Sequence, residues 1–363
     1  MSALPAVNTV DAVKAADASD THLASTRTDA ARRRRLAISL AIAAMLLVAA
    51  GLMVGSHGWS WTAWRADLVD TQAGLILGEI RLPRTVGALM VGGLLGLSGA
   101  VAQGLFRNPL ADPYLLGSAA GASFAVVLVL AAGSMAGHAI GFETAAWIAR
   151  VGLVAAAFAG ALGGVLLTLG LARGAQEGVR LLLAGVVVGV VLGAASDLFT
   201  TVSPEALRGK QVFMLGSTGF LGWASVAMLG AGLAVALPLC MRLSRALDAL
   251  SLGDDSAASL GLDLSRIRMA LVVLLAMCTG LAVSQSGLVA FVGLVSPHLV
   301  RRCAPAPHAY TLAASAGTGG VLLLAADVLA RGLIAPQELP VGVLTALLGG
   351  GYLLWLLHRR RVG

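Results

Sequence analysis

Arg32-Arg-Arg-Arg-Leu-Ala-Ile-Ser-Leu-Ala-Ile-Ala-Ala-Met-Leu-Leu-Val-Ala-Ala-Gly-Leu-Met-Val-Gly-Ser56 sets four arginines ahead of a long uncharged run. A run of about 20 apolar residues is long enough to cross the hydrocarbon core of a bilayer. Four cations at its head hold the N-terminus on the inner side. The cluster lies too deep in the chain, and the run is too long, for a secretory signal. Similar runs recur to the end of the chain, so the fold is expected to be all-α and integral to a membrane.

Composition agrees. Of 363 residues, 58% are hydrophobic and only 12% charged, too few charges for a water-soluble domain. No array of alternating polar and apolar residues suits an outer-membrane barrel. Helices are then the way to satisfy backbone hydrogen bonds in lipid. The 46 glycines suit closely packed membrane helices. Cys240, Cys278 and Cys303 are far apart and odd in number, with neither a disulfide pattern nor metal-ligand spacing, and read as buried small residues. The net charge of +7 is spread along the connections, as orientation charges are, so no nucleic-acid partner is expected.

Working outward, residues 1–31 are polar, lack an apolar period and read as a disordered cytoplasmic tail. A single transmembrane domain follows over 32–363. Ten spans are expected, at about 36–56, 80–105, 115–133, 149–172, 180–200, 222–241, 268–285, 287–302, 310–332 and 340–357. Trp59, Trp61 and Trp64 read as an outer interfacial segment. Residues 201–210 read as an outer loop, 211–221 as a short half-helix, and 242–267 as the longest polar internal segment. With both termini inside, only Arg65, Arg81, Arg84, Arg150, Arg208, Lys210 and Arg331 of the 25 basic residues fall outside, which is the bias an inner-membrane protein needs. Small residues four apart occur at Gly92/Gly96, Gly160/Gly164 and Gly185/Gly189/Gly193. Such stripes let backbones approach; the third could also mark a helix that moves or lines a pathway.

Enzyme chemistry is not expected. Gly209-Lys210-Gln211 lacks the hydroxyl and the upstream glycine of a phosphate loop, so the chain should not hydrolyse ATP itself. No nucleophile–base pair or metal-ligand cluster is evident; His298 beside Pro297 has no second ligand near it and reads as structural. Ion-coupled carriers need ionisable groups in mid-span. Here only Asp197 and Asp327 come close, and Asp327 precedes Arg331 by four residues, the spacing of a helical ion pair.

Three segments carry a resemblance. They are Glu79-Ile-Arg-Leu-Pro-Arg84, then Arg107-Asn-Pro-Leu-Ala-Asp-Pro-Tyr-Leu-Leu-Gly117, then Phe291-Val-Gly-Leu-Val-Ser-Pro-His-Leu-Val-Arg301 followed by Asp327-Val-Leu-Ala-Arg331 and Glu338-Leu-Pro-Val-Gly342. In this order and spacing, over about residues 36–360, the chain resembles the FecCD permeases, which include importers of vitamin B12, haem and ferric siderophores.

The resemblance implies a ten-helix subunit of the vitamin B12 permease type. Its partners would be a second copy of the chain, two cytoplasmic ATPase subunits and a periplasmic binding protein, besides membrane lipid. No cofactor is expected on this chain; ATP and Mg belong to the ATPase. Arg81, Arg84 and Arg331 match the family's outer arginines, which pair with carboxylates of the binding protein; anchoring at the membrane surface or internal pairing with Glu79 and Asp327 is the alternative. Leu252, Gly253, Asp254, Asp255, Ala257, Leu260 and Gly261 match the segment that couples to the ATPase. The fifth and tenth helices would flank the path at the two-fold axis. The cargo is read as haem, because Arg150, Arg208 and Lys210 suit its propionates, although the same cations suit lipid anchoring. A ferric siderophore or cobalamin is the alternative cargo, and a gradient-driven secondary carrier the alternative class.

Overall fold

A computed structural model of the chain describes residues 9–55, 58–59, 74–136, 142–172 and 178–361. The first helix, α1, runs Thr9–Met53. It therefore includes most of the stretch expected to be an irregular tail. The physical reason lies in composition: no glycine or proline interrupts residues 9–50, and alanine is the best helix former. A two-residue antiparallel pair, β1 (Val54–Gly55) with β2 (Gly58–Trp59), turns the chain after α1. The side chains of Trp59, Trp61, Trp64 and Arg150 lie outside the described residues.

Ile76–Arg81 forms a π-helical turn that leads directly into α2 (Leu82–Leu105), with Pro83 at the junction between the two. Every residue of α2 from Val91 to Leu105 is buried. A helix that is apolar all round belongs in the middle of a bundle, and α2 is the axis of this one. After a 3₁₀ turn at Pro113–Leu116 come α3 (Ser118–Ala136), α4 (Phe142–Leu171) and α5 (Gly178–Val202). Next are α6 (Pro204–Leu215), α7 (Trp223–Arg242), the short α8 (Ser244–Ser251) and α9 (Asp254–Ser259), and α10 (Leu264–Ser286). The chain closes with α11 (Val292–Cys303), α12 (His308–Gly332) and α13 (Val341–Arg361).

Each of the ten apolar segments expected from sequence contains a helix. Seven of the described helices are long and apolar enough to cross a bilayer, and Ser118–Gly133 and Val341–Leu356 are shorter apolar helices. The eighth segment differs from the expected full span. The helix α11 has 12 residues, about 18 Å at 1.5 Å each, roughly half a hydrocarbon core. It starts only at Val292, because Phe291 holds a left-handed conformation (φ 67°) that no helix contains. The expected outer loop at 201–210 is also corrected. Ser203 accepts a hydrogen bond from the Ala206 N–H and Pro204 follows in the first turn, so this stretch starts α6 rather than a loop.

Close backbone contact organises the bundle. A Cβ at Gly92 or Gly96 of α2 would overlap the carbonyls of Gly319 or Ser315 on α12. A Cβ at Gly99 would overlap the Gly293 carbonyl on α11. Gly160 and Gly164 of α4 stand in the same relation to Gly121 and Gly117 of α3 and its approach. Without a hydrophobic driving force between helices in lipid, such dispersion contact is what holds them together.

Candidate functional site

The two ends of the bundle each carry a charged cluster, and the contacts fix which residues share an end. At one end Asp327 of α12 is fully buried. Its Oδ1 accepts from Arg84 Nε at 3.1 Å and from the Thr218 hydroxyl at 2.5 Å. Its Oδ2 accepts from Arg331 Nη2 at 2.6 Å. Arg331 Nη1 donates to the Gly51 carbonyl at 2.9 Å, and Arg81 Nη1 to the Leu52 carbonyl at 3.1 Å, which ties α1 into the cluster. Arg84 Nη1 donates to Glu338 Oε1 at 2.9 Å. One buried carboxylate thus serves two guanidiniums, with Glu338 as the second acid.

This geometry separates the three arginines grouped by sequence. Arg331 is 4% exposed and engaged inward, where it bridges Asp327 and α1. The internal pairing with Asp327 that its spacing suggested is what is found. Arg84 is mostly buried, but its partner Glu338 is half exposed, so one edge of that guanidinium meets the surface. Arg81 is partly exposed at the same rim.

At the other end the chain between α7 and α10 forms two short helices. In α8, Ala246, Leu247, Ala249 and Leu250 face inward. Gly253 (φ 110°) and Gly261 (φ 76°) then bracket the six-residue α9, and only glycine takes these conformations without strain. Asp254 and Asp255 sit in its first turn, as the helix dipole favours. Ala257 is fully buried and pins α9 down, while Leu252 and Leu260 project outward, 70% and 66% exposed. All seven residues matched by sequence to the coupling segment therefore lie on one small protruding knob.

The knob is tied to three long helices. Asp254 accepts from Arg268 at the start of α10 at 2.7 Å and from Arg107 just past α2 at 2.8 Å. Asp248 of α8 accepts from the His308 backbone N–H at 3.0 Å and lies 2.7 Å from its ring Nδ1, capping α12. Nothing in the sequence pattern marked Asp248 and His308 as partners, 60 residues apart. Gln103 was also missed. It donates to the Leu294 carbonyl at 3.0 Å and accepts from Arg301, linking α2 to α11. A lone amide inside an otherwise apolar span was the available signal.

The hydrogen bond from Arg268, then the nearby charges of Arg268 and Arg107, hold the Asp254 carboxyl below its ordinary value. A depressed carboxylate contributes stability that is complete above its unfolded pKa, about 3.9, and is lost as pH falls through the folded value. The knob is therefore expected to stay protected from proteolysis between pH 8 and 5 and to loosen only below about pH 4. Limited proteolysis with a neutral protease from pH 8 to 5 and an acid-active one below about pH 4 checks this, and an Asp254→Asn chain should be cut faster in this segment than the native chain above about pH 4 and no faster below it.

The glycine stripe of α5 divides. A Cβ at Gly185 would overlap the Leu115 carbonyl, whereas Gly189 and Gly193 face open space beside exposed Val186, Val187 and Val190. Asp197 and Lys210 form an ion pair that joins α5 to α6. Arg208 is exposed on α6. His298 packs edge-on against Tyr352, ring centroids 5.9 Å apart.

Comparison with known proteins gives this arrangement a context. The profile of the FecCD transport family matches residues 24–359. The hemin transport system permease protein of Yersinia pestis is 39% identical over 83% of this chain and 88% of its own length. The vitamin B12 import system permease protein of Citrobacter koseri is 37% identical over 91% of this chain and 96% of its own. A solved structure described as an inward-facing conformation of a metal-chelate type ABC transporter superposes with TM-score 0.78 at 26% identity, covering 90% of this chain and 99% of that one. With a family profile over nearly the whole length and relatives of this closeness over more than four fifths of it, the chain belongs to the FecCD transport family.

Proposed function

We propose that the chain is the membrane-spanning subunit of an ATP-driven importer, with haem as its cargo. The observation that carries the importer reading is the α8–α9 knob. It offers two exposed leucines around a six-residue helix, and its acids are bonded to the ends of α2, α10 and α12. A motor that closes on Leu252 and Leu260 would move three spanning helices at once. Conformational work of this kind requires that the motor bind two arrangements with different affinity.

The knob end faces the compartment that holds ATP, and the Asp327 end faces outward. The working unit is a symmetric pair of chains with two ATPase subunits below and a binding protein above, in the inner membrane. ATP and Mg act on the partner. Arg81 and the exposed edge of Arg84 receive carboxylates of the binding protein, which compete with Glu338 for Arg84; arginine suits this through bidentate geometry. Haem is favoured by the hemin permease among the relatives and by the exposed Arg208 beside the outer rim. Lys210 contributes less than its charge suggests, because Asp197 already neutralises it. Cobalamin is the second reading, favoured by the vitamin B12 permeases of almost equal identity.

The test is uptake into vesicles carrying the chain with its ATPase and binding protein, with haem, cobalamin and one ferric siderophore supplied in parallel. Haem uptake that needs ATP is expected. Uptake that survives without nucleotide and collapses with the ion gradient would replace this reading with a secondary carrier. In the same vesicles Leu252→Glu with Leu260→Glu is expected to lower uptake at least tenfold while the permease remains folded, because a charge on each leucine must be desolvated in the motor's cleft.

A further inference from the structure

The two helices that carry the outer cluster also carry the knob. At the outer end Arg84 of α2 meets Asp327 of α12 at 3.1 Å. At the other end Arg107, just past α2, holds Asp254 of α9, and His308, the first residue of α12, holds Asp248 of α8. Between these ends the helices run antiparallel and stay in register. A Cβ at Gly92 would meet Gly319, one at Gly96 would meet Ser315, and one at Gly104 would meet the His308 ring and Leu247 of α8. The match extends over about 20 residues of each helix, roughly 30 Å at 1.5 Å per residue. At Gly92 and Gly96 the atom met is a backbone carbonyl, which cannot turn aside. No proline interrupts either helix between these contacts. Packed surfaces of this kind shift as a unit or not at all. A displacement at the outer end of the pair must therefore arrive at the knob.

Arg107 carries a second, independent sign. Its φ is 50°, a left-handed conformation. The Asn108 N–H donates to the Gln103 carbonyl at 3.2 Å and the Arg107 N–H to the Gly104 carbonyl at 3.4 Å. This is the turn that ends many helices, and its left-handed position is usually glycine. A residue with a Cβ is strained there. Arginine stands at a place where glycine would fit freely, and its side chain reaches Asp254 at 2.8 Å. Strain held at one residue points to a use for that residue. Stability does not supply the use. The Arg107–Asp254 pair is exposed on both sides, and such pairs contribute little. Asp254 is already held by Arg268 at 2.7 Å. What Arg107 alone adds is a bond from α9 to α2.

We propose that α2 and α12 act as one rod between the outer face and the knob, and that Arg107 and Asp248 are the positioning residues that pin this rod to α9 and α8. The inference rests on the importer reading and adds to it the route by which docking outside is felt by the motor inside. A carboxylate that takes the exposed edge of Arg84 pulls on α2, and through Asp327 on α12. The rod then shifts Asp254 and Asp248 together, on either side of the outward leucines. The third helix tied to the knob is placed differently. Arg268 joins α10 to α9, but α10 supplies none of the described partners of Asp327.

The test reads one end of the rod against the other in the whole transporter, held in nanodiscs. The probe is the binding protein without cargo, and its dissociation constant is measured with and without a non-hydrolysable ATP analogue. Such linkage between two sites is reciprocal, so it reports the same coupling that docking exerts on the motor. In the native complex the two constants are expected to differ by about tenfold or more. R107G and D248N should each shrink the difference to about threefold, and together abolish it. R107K should restore most of it. Two features separate this from a merely structural role. Glycine takes the left-handed turn without strain and Asp254 keeps Arg268, so R107G should melt no lower than the native chain while its coupling falls. Asparagine still accepts from the His308 N–H, so D248N keeps the start of α12 capped. R266Q removes an 89% exposed arginine of the same segment, paired with Asp263, and should leave the difference intact. Coupling that survives R107G with D248N, a like loss in R266Q, or a lowered melting temperature in R107G would each overturn the rod. A native complex in which binding protein and nucleotide ignore each other would instead overturn the importer reading beneath it.

Discussion

Asp327→Ala is expected to cost the folded chain about 3–5 kcal/mol, because it strands buried charge. The two arginines that Asp327 serves are not equally placed. Arg84 keeps Glu338, 2.9 Å away and half exposed. Arg331, 4% exposed, keeps only neutral backbone partners, the Gly51 carbonyl and the carbonyl of residue 327 itself. Most of the loss therefore comes from Arg331, whose guanidinium would remain in a dry site with no counter-ion. Thermal unfolding in detergent, followed by loss of the monodisperse peak on size exclusion, measures it. The second arm isolates the cause. Asp327→Leu with Arg331→Met removes both charges and keeps their volume, and replacement of a complete buried ion pair by apolar groups is often close to neutral. The double variant should recover most of the stability that Asp327→Ala loses. If it is as unstable as the single one, packing rather than charge sets the cost. Arg331→Met alone leaves Asp327 with Arg84 and Thr218, and should fall between them.

What sequence made legible follows a physical line. Span length and flanking charge are local properties, and the ten apolar segments all appear as helices for that reason. The bracketed helix at 254–259 was legible too, since Gly253 and Gly261 mark left-handed turns and the acids mark a helix start. The pairing of Asp327 with Arg331 followed from a spacing of four. The direction in which Arg331 points did not, because a residue at a helix end can face a partner or the core, and the deciding contact is Gly51, 280 residues away in sequence. The same limit hid Asp248 with His308 and Gln103 with Arg301. The shortened α11 was hidden by a different cause. Its apolar run is long enough to read as a span, but a phenylalanine in a left-handed conformation is imposed by tertiary packing, here against Gly349.

Glycines of one composition should respond in opposite directions, and that contrast is the strongest test of the bundle's interior. Gly96→Leu and Gly99→Leu are each expected to abolish the folded chain. In both, the new Cβ would occupy the space of a backbone carbonyl, Ser315 on α12 or Gly293 on α11. A backbone atom cannot rotate away as a side-chain tip can, so two helices must separate. Overpacking in a core with some give costs about 1–3 kcal/mol; parting helices whose cohesion is their close contact should cost more, since every dispersion pair along the seam lengthens together. Gly163→Ala on α4 has nothing within 4 Å of the new methyl. It should leave the fold intact or stabilise it by up to about 1 kcal/mol, the helix preference of alanine over glycine. The α5 stripe supplies the functional arm. Gly185→Val should unfold, because Leu115 blocks it, while Gly189→Val and Gly193→Val should fold normally in the isolated chain. A loss of ATP-driven uptake in the last two, with stability unchanged, would mean that those glycines serve a neighbour or a pathway that forms only in the assembled transporter. Full uptake in both would remove α5's second and third glycines from the mechanism.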